Sequence, residues 1–298
     1  MNVRFKKRND FVTIQWYPGH MAKAKRQFQE KLKLVDVVYE LVDARIPYSS
    51  KNPDIEQMIG DKPHIVILMK SDLADPKRTK EWLDYYQDSA QPAISINAKQ
   101  GEGLKEVLKL TKEVLRPFFE KRESKGMKPR AIRSVCVGIP NVGKSTLINR
   151  FARKNIAKTG NKPGVTKAQQ WIKYGKELEL LDTPGILWPK FEDQEVGKRL
   201  AVTGAIKDTL LHLDDIALYA MDYLAANYSG AIASRYGLSE ESEKEQPMPE
   251  LLMEISHKRG FRQDYDRAAE MVLYEIRNGQ LGRITFERPA DIKDTADD

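Results

Sequence analysis

Three scarcities limit what this chain can be. It contains one cysteine, Cys136, in 298 residues, which excludes an intramolecular disulfide and makes a reducing, cytoplasmic setting the expected one. Its apolar runs, such as residues 64–69, are far too short to cross a bilayer, so no membrane partner is expected. The basic first residues are not followed by an apolar core region, and a signal peptide is therefore not expected.

Charge and size describe an ordinary globular protein with a positive excess. Hydrophobic residues make up 41% and charged residues 31% of the chain, and its length favours two domains. The formal charge is +7, and residues 1–33 contain nine basic residues but only two acidic ones. This distribution fits either a nucleic-acid partner or a solvated basic face, and composition alone does not separate the two.

Hydrophobic patterning predicts an α/β domain followed by a small all-α domain. Continuous apolar stretches predict buried strands at residues 35–42, 64–69, 93–96 and 132–137, and a strand pair at 170–174 and 177–181. Helical stretches are predicted at residues 75–86, 104–119 and 266–278, and another helix begins at Lys144. This alternation favours a mostly parallel sheet with helices on both faces.

Domain boundaries follow from where the strand patterns cease. We predict a basic extension at residues 1–13, a first domain at 14–192, a linker at 193–205, a helical domain at 206–290 and an acidic tail at 291–298. Residues 121–130 and 238–250 are polar and contain proline, so a linker and a loop are expected there.

The strongest chemical signal is the sequence GIPNVGKS at residues 138–145, which fits the pattern G-x-x-x-x-G-K-S. A predicted strand precedes it and a helix follows, so backbone N–H groups and the helix N-terminus are expected to surround phosphates. Lys144 would reach the β- and γ-phosphates, and Ser145 would bind Mg²⁺. The predicted nucleotide-binding residues of this loop are Asn141, Val142, Gly143, Lys144, Ser145 and Thr146.

Two further segments predict elements that respond to the third phosphate. The sequence DTPG at residues 182–185 ends an apolar strand. Asp182 is expected to hold Mg²⁺ through water, and the Gly185 N–H is expected to contact the γ-phosphate. Thr166 lies between these motifs in the sequence NKPGVTK, and a threonine in such a loop can close on Mg²⁺ when triphosphate binds.

Guanine recognition is predicted from residues 69–72 and 97–99. GTPases use the pattern Asn-Lys-x-Asp after a strand, and here the pattern is occupied by Met69, Lys70, Ser71 and Asp72. Asp72 would accept hydrogen bonds that adenine cannot donate, whereas Met69 lacks the amide of asparagine. The next strand is followed by Asn97, Ala98 and Lys99, which resemble the Ser-Ala-Lys element that contacts guanine through backbone N–H groups.

The order of these motifs is unusual. In ordinary GTPases the phosphate motifs come first, but here residues 69–72 and 97–99 precede residues 138–145, 166 and 182–185. The motifs can still meet, since the carboxyl ends of strands share one edge of a sheet whatever their order in the chain. The sequence therefore predicts a circularly permuted P-loop GTPase domain, in which the segment after Gly185 leads directly into the helical domain.

Five stretches together resemble a known family. They are QWYPGHMAKA, ELVDARIPYSS, GIPNVGKSTLIN, GNKPGVTK and LDTPGILWPK, and they resemble the bacterial ribosome biogenesis GTPase A family, the YlqF/YawG type of circularly permuted GTPase. The resemblance covers residues 14–288, and Met69 departs from its pattern. It implies a GTPase that acts late in assembly of the large (50S) ribosomal subunit, and a C-terminal domain similar to the RNA-binding antiterminator type.

The switch loop does not show which residue handles the attacking water. Ras-type GTPases use a glutamine near the glycine, but here Ile186 follows Gly185, as the family resemblance implies. His20 is the candidate to orient or deprotonate the water, and the alternative is a surface histidine or an RNA contact. Asn141 resembles the asparagine of K⁺-activated GTPases, and the alternative is a helix-entry residue without an ion.

The combined prediction is a two-domain GTPase that binds GTP and GDP and is a monomer away from the ribosome. It is expected to act on the 50S precursor and its rRNA, with hydrolysis stimulated by the particle and coupled to release. Candidate RNA contacts in the helical domain are Lys258, Arg259, Arg262, Arg267, Arg277, Arg283 and Arg288. Two alternatives are an RNA-binding scaffold whose nucleotide is structural and a P-loop NTPase that acts on another RNA.

Overall fold

The molecule is built on a six-stranded sheet. The computed structural model describes residue 14, residues 17–153 and residues 170–292. Within them the strand order is β3-β2-β1-β4-β6-β5, and all neighbours are parallel except β5 and β6. The strands are β1 (Val37–Asp43), β2 (His64–Met69), β3 (Ala93–Ser95), β4 (Ile132–Gly138), β5 (Gln170–Tyr174) and β6 (Leu178–Asp182).

Helices cover both faces of this sheet, which confirms the predicted α/β architecture. The helices on one face are α1 (Gly19–Leu32), α2 (Pro53–Ile59) and α3 (Pro76–Asp88), and those on the other are α4 (Leu104–Glu123) and α5 (Lys144–Ala152). The C-terminal helices are α6 (Gln194–Val202), α7 (Leu213–Asn227), α8 (Ala231–Tyr236), α9 (Glu240–Glu245), α10 (Met248–Lys258) and α11 (Tyr265–Arg277). None of the helices described is long and apolar enough to cross a membrane.

Strand β1 lies near the centre of the sheet, between β2 and β4, and all seven of its residues are buried. Tyr39 and Leu41 belong to the cluster with α4 and α5, whereas Val38 and Val42 pack with the helices of the opposite face. The chain order reverses between β1 and β4, and ligands of open α/β sheets bind outside the carboxyl ends of strands at such a point. The fold therefore places a crevice after Asp43 and Gly138.

Three stretches differ from the sequence-based prediction. Helix α4 continues past Pro117 to Glu123, so the polar linker begins later than predicted. Residues 193–205 contain helix α6 instead of a linker, because Asp193 caps its N-terminus and an apolar face ending in Leu200, Ala201 and Val202 is fully buried. Residues 238–250 contain α9 and the start of α10 instead of a loop, and Ser239 caps α9.

The C-terminal helices pack mainly around α7 and α11, and the chain then returns to the sheet. We name residues 283–288 the C-terminal strap. Its carboxylate Glu287 is 2% exposed and accepts hydrogen bonds from the backbone N–H groups of Tyr48 at 2.7 Å and Ser49 at 3.0 Å. Arg199 of α6 donates to the same carboxylate at 3.3 Å. Glu287 thus joins the strap both to the sheet domain and to the first of the C-terminal helices.

Glu40 is an unusual residue for the middle of a central strand. Its side chain is 2% exposed, and neither carboxylate oxygen has a hydrogen-bond partner among the described residues. Burial raises the pKa of Glu40 from its ordinary 4.5 to about 7, and the positive charge of Lys51 only partly opposes this. The carboxyl group therefore binds a proton more tightly in the folded chain than in the unfolded one.

This predicts a stability that falls as the pH rises. The folded state holds the Glu40 proton up to about pH 7, while the unfolded state has lost it well below that pH. The substitution Glu40→Gln removes this effect, so the melting temperature of the variant relative to wild type should increase from about pH 5 to about pH 8. The exposed Glu106→Gln serves as the control, and a constant difference for Glu40→Gln would contradict the prediction.

Candidate nucleotide-binding site

The predicted motifs that the structure describes lie at the carboxyl edge of the sheet. Residues 69–72 begin at the end of β2, Asn97 follows β3, residues 138–145 begin at the end of β4, and Asp182 ends β6. Their order in the chain is permuted, but the parallel strands bring them to one side. The structure therefore brings together both the phosphate-binding and the base-reading elements that the sequence predicts, apart from residues that lie outside the described ranges.

The phosphate loop has the backbone that such loops need. Asn141 and Gly143 have φ angles of 60° and 107°, both in the left-handed region, and Gly143 directly precedes α5. Successive N–H groups in this kind of turn face one concave side and favour an anion, and the positive end of α5 adds to this. Lys144 is the first residue of α5 and is buried. These features suit the cradle of a phosphate chain.

Two buried charged side chains, Lys144 and Asp182, interact electrostatically beside this loop. Burial lowers the pKa of Lys144, and the nearby Asp182 carboxylate partly offsets this. Burial also raises the pKa of Asp182 to about 6, with Lys144 opposing the shift. Asp182 Oδ1 is buried and has no hydrogen-bond partner among the residues described. A cation or its bound water would satisfy this oxygen, so Asp182 together with the Ser145 hydroxyl on α5 fits Mg²⁺, which GTPases generally use.

The switch loop after β6 is closely packed against the phosphate loop. A Cβ atom added at Gly185 would lie 2.8 Å from the backbone N and Cα atoms of Pro140, so only glycine fits. Ile186 N–H donates to Gly138 O at 3.1 Å, and the Thr183 hydroxyl donates to Cys136 O at 2.6 Å. These two hydrogen bonds hold the start of the switch loop against the end of β4.

The Ile186 side chain lies in the hydrophobic core. Its side chain is completely buried in a cluster with Ala24 and Phe28 of α1 and Val137 of β4. The residue at the position of the missing glutamine is thus a core residue that fastens the switch loop to α1. The same helix bears His20, which lies exposed in its first turn.

We name residues 69–75, which include the predicted guanine-binding residues, the base-reading loop. This loop is bonded to a buried carboxylate, that of Asp43 at the end of β1. Lys70 has a φ angle of 60° and donates from Nζ to Asp43 Oδ2 at 2.9 Å. Burial alone would raise the pKa of Asp43, but the charges of Arg45 and Lys70 outweigh it and hold that pKa well below its ordinary value. Ser71 N–H donates to Ile96 O at 3.2 Å. Asp72 lies half-buried in the middle of this loop.

Met69 connects the base-reading loop to the phosphate loop by packing. Its side chain is 1% exposed, and a Cβ atom at Gly143 would lie 3.2 Å from Met69 Cε. The side chain therefore covers the left-handed glycine that precedes Lys144. Van der Waals contact stands here in the position where the usual pattern has a hydrogen-bonding amide.

Residues 97–99 are held from two sides. Asn97 Oδ1 accepts from Gln100 N–H at 3.2 Å, and Asn97 Nδ2 donates to Glu102 at 3.2 Å. Arg150 of α5 donates to Ala98 O at 3.0 Å and also to Lys99 O. Arg150 thus fixes the backbone of Ala98 and Lys99 against α5, the helix that follows the phosphate loop. Arg150 was not among the residues predicted from the sequence, because a local pattern gives no information on a contact between residues 52 positions apart.

Comparisons with known proteins agree with this geometry. Residues 133–248 match the family model described as 50S ribosome-binding GTPase. Ribosome biogenesis GTPase A of Bacillus cereus is 54% identical over 96% of this chain and 98% of its own length, and that of Priestia megaterium is 56% identical over 94% and 98%. The crystal structure of GNP-bound YlqF from Thermotoga maritima is 28% identical and covers 91% of this chain and 100% of that chain with a TM-score of 0.66.

The chain belongs to the ribosome biogenesis GTPase A family. It is a GTPase that acts in ribosome biogenesis, with a P-loop GTPase domain followed by a helical part. The predicted family and fold class are confirmed. Of the predicted site residues of this GTPase, Thr166 lies outside the described residues, as do residues 1–13.

The helical part of this GTPase touches the phosphate loop directly. Asn141 Nδ2 donates to Gly204 O at 3.3 Å, just beyond α6. Arg277 at the end of α11 donates to Val202 O at 2.9 Å and Ala201 O at 2.8 Å, and it pairs with Asp208 at 2.8 Å. Its guanidinium is therefore engaged inside the protein, which differs from the RNA-contacting role expected from the sequence. The predicted K⁺ ligand Asn141 is oriented by the helical part.

A substitution of Gly185 should separate nucleotide binding from hydrolysis. The Cβ atom of Gly185→Ala would push the switch loop away from Pro140. We expect GTP hydrolysis to slow by about tenfold or more, since small displacements are costly for chemistry, while GDP binding weakens much less. Gly175→Asn in the β5–β6 turn is the matched control, because it has open space and asparagine tolerates its positive φ. Wild-type hydrolysis by Gly185→Ala would contradict the prediction.

Proposed function

We propose that this GTPase acts in the cytoplasm as an assembly switch on the large (50S) ribosomal subunit precursor and its rRNA. The observation that supports a switch is the contact of the helical part with the nucleotide site, above all the hydrogen bond from Asn141 to Gly204 O. The 50S particle as partner is supported by the description of the family model that matches residues 133–248. We further propose two functional parts, residues 14–192 and 206–290, joined by residues 193–205, which contain α6 and Gly204, and a monomer away from the particle.

The roles of the site residues follow from their positions. Lys144 would bind the β- and γ-phosphates, the Gly185 N–H would bind the γ-phosphate, and Asp72 with Lys70 would hold the guanine. Ser145, Thr166 and Asp182 would hold Mg²⁺, the last through water. When bound, Mg²⁺ neutralises charge that develops on the phosphate oxygens. The remaining nucleotide contacts would come from Val142, Gly143, Thr146 and residues 97–99.

The buried position of Ile186 suggests how the switch works. The Ile186 side chain packs against Ala24 and Phe28, so a movement of the switch loop on GTP binding would shift α1 and with it His20. We infer that the ribosomal particle then fixes α1 so that the imidazole of His20 orients or deprotonates the attacking water. Hydrolysis would release the switch loop, and the helical part would lose its particle-bound pose.

Stimulation by the particle can be tested with matched histidine variants. We expect slow GTP hydrolysis by the isolated chain and an acceleration of about a hundredfold or more with purified large subunits. His20→Ala should abolish the acceleration without changing GTP affinity. His212→Ala is the control, because His212 is also exposed but lies at the start of α7.

Two results would oppose this proposal. Equal rates with and without large subunits would exclude particle-stimulated hydrolysis. Full stimulation of the His20→Ala variant would keep the assembly role but remove His20 from it.

The proposed K⁺ site can be tested through the side chain of Asn141. Its Nδ2 is engaged with Gly204 O, which leaves Oδ1 as the atom for a cation near the phosphates. We expect faster hydrolysis in K⁺ than in Na⁺, and we expect Asn141→Gly to remove this difference. Glycine is the suitable replacement because it adopts the φ angle of 60° without strain. A K⁺ effect that survives the substitution would place the ion elsewhere.

A further inference from the structure

The C-terminal strap begins at the base-reading loop, and its first residue, Arg283, makes two hydrogen bonds to that loop. Arg283 donates from Nη2 to Ser71 O and from Nε to Ala74 O, both at 2.8 Å. These two carbonyls lie on either side of Asp72 in the chain. A planar guanidinium donates in fixed directions, so it sets the spacing of the two carbonyls as well as satisfying them.

The backbone of the strap continues this contact residue by residue. Ile284 N–H donates to Leu73 O at 3.0 Å, and the Thr285 hydroxyl accepts from Asp75 N–H at 3.1 Å. Four of the five residues from Ser71 to Asp75 are therefore hydrogen-bonded through their backbone to the strap, all except Asp72. The strap therefore lies along one side of this loop and forms its outer wall.

A second close approach supports the same fit. A Cβ atom added at Gly279, in the turn after α11, would lie 2.9 Å from Leu73 Cδ2. The turn that leads into the strap thus packs tightly on the loop at the residue that follows Asp72. The left-handed φ of Lys70 is itself unfavourable for a lysine and must be maintained by surrounding contacts.

We propose that Arg283 is a positioning residue for guanine recognition, which holds the backbone on both sides of Asp72 so that its carboxylate meets the base. The proposal rests on the proposed role of Asp72 in reading guanine. Arg283 would act through the loop, because its guanidinium is engaged with the carbonyls of Ser71 and Ala74. The helical part would then share in base selection, because its last segment builds the outer wall of the site.

The test compares GDP with inosine diphosphate, which lacks the exocyclic amine that Asp72 would bind. Wild type should prefer GDP. Arg283→Ala should weaken GDP binding by about fivefold, as loss of exposed charge-assisted hydrogen bonds allows, and weaken inosine diphosphate binding less. The preference for GDP should therefore fall about threefold. Arg283→Lys should restore part of the preference, because an ammonium group can still donate to one of the two carbonyls.

Arg130→Ala is the matched control. Arg130 also makes two strong hydrogen bonds, to Asp36 at 2.7 and 2.8 Å, but it lies just before β4, at the opposite edge of the sheet from the base-reading loop. A variant that only loses stability should bind both nucleotides more weakly by the same factor, which leaves the preference unchanged. If Arg283→Ala does not fold, the Arg283→Lys variant gives the measurement, with a smaller expected fall in preference.

The outcomes separate the two levels of the proposal. If wild type prefers GDP and both Arg283 variants keep that full preference, the positioning role is overturned while the Asp72 assignment stands. If wild type binds both nucleotides equally, the Asp72 assignment fails and the role of Arg283 fails with it. A reduced preference in the Arg283 variants, with an unchanged preference in Arg130→Ala, supports the proposal.

Discussion

The nucleotide site depends on one buried carboxylate, that of Asp43 at the end of the central strand. Arg45 donates to it from Nε at 2.9 Å and Nη2 at 2.7 Å, and Lys70 donates at 2.9 Å. Removing one partner from such a buried set costs about 3–5 kcal/mol, because the remaining charges are left uncompensated. Arg45 also donates to Arg277 O at 3.3 Å and accepts from Phe286 N–H at 2.7 Å. The base-reading loop, α11 and the strap therefore share this anchor.

The circular permutation connects the helical part directly to the loops of the nucleotide site. The chain leaves the switch loop at Ile186 and enters α6 without returning to the sheet, and it comes back only as the strap. One end of the helical part then meets the phosphate loop at Asn141, and the other end meets the base-reading loop at Ser71 and Ala74. In the proposed switch, a change in either loop would reach the helical part through these contacts.

Local patterns predicted most of the fold, and long-range contacts account for what they missed. Strand β2 and the start of α5 were predicted at their observed bounds because apolar runs and the phosphate motif are local signals. The linker prediction at residues 193–205 differs from the observed α6, whose apolar face is explained only by its packing against α7 and α11. The contacts of Arg150 and Arg283 join residues 52 and 209 positions apart, a separation at which sequence spacing gives no information. The burial of Ile186 likewise depends on α1.

The central claim is that the strap and the base-reading loop form one structural unit of the nucleotide site. Amide hydrogen exchange of the full chain, with and without GDP, tests this most directly, since it reports local opening at each backbone position. We expect GDP to slow amide exchange at Ile284 and Phe286 of the strap together with Ser71 and Leu73 of the loop. Slower exchange in the loop with unchanged exchange at both strap amides would contradict it.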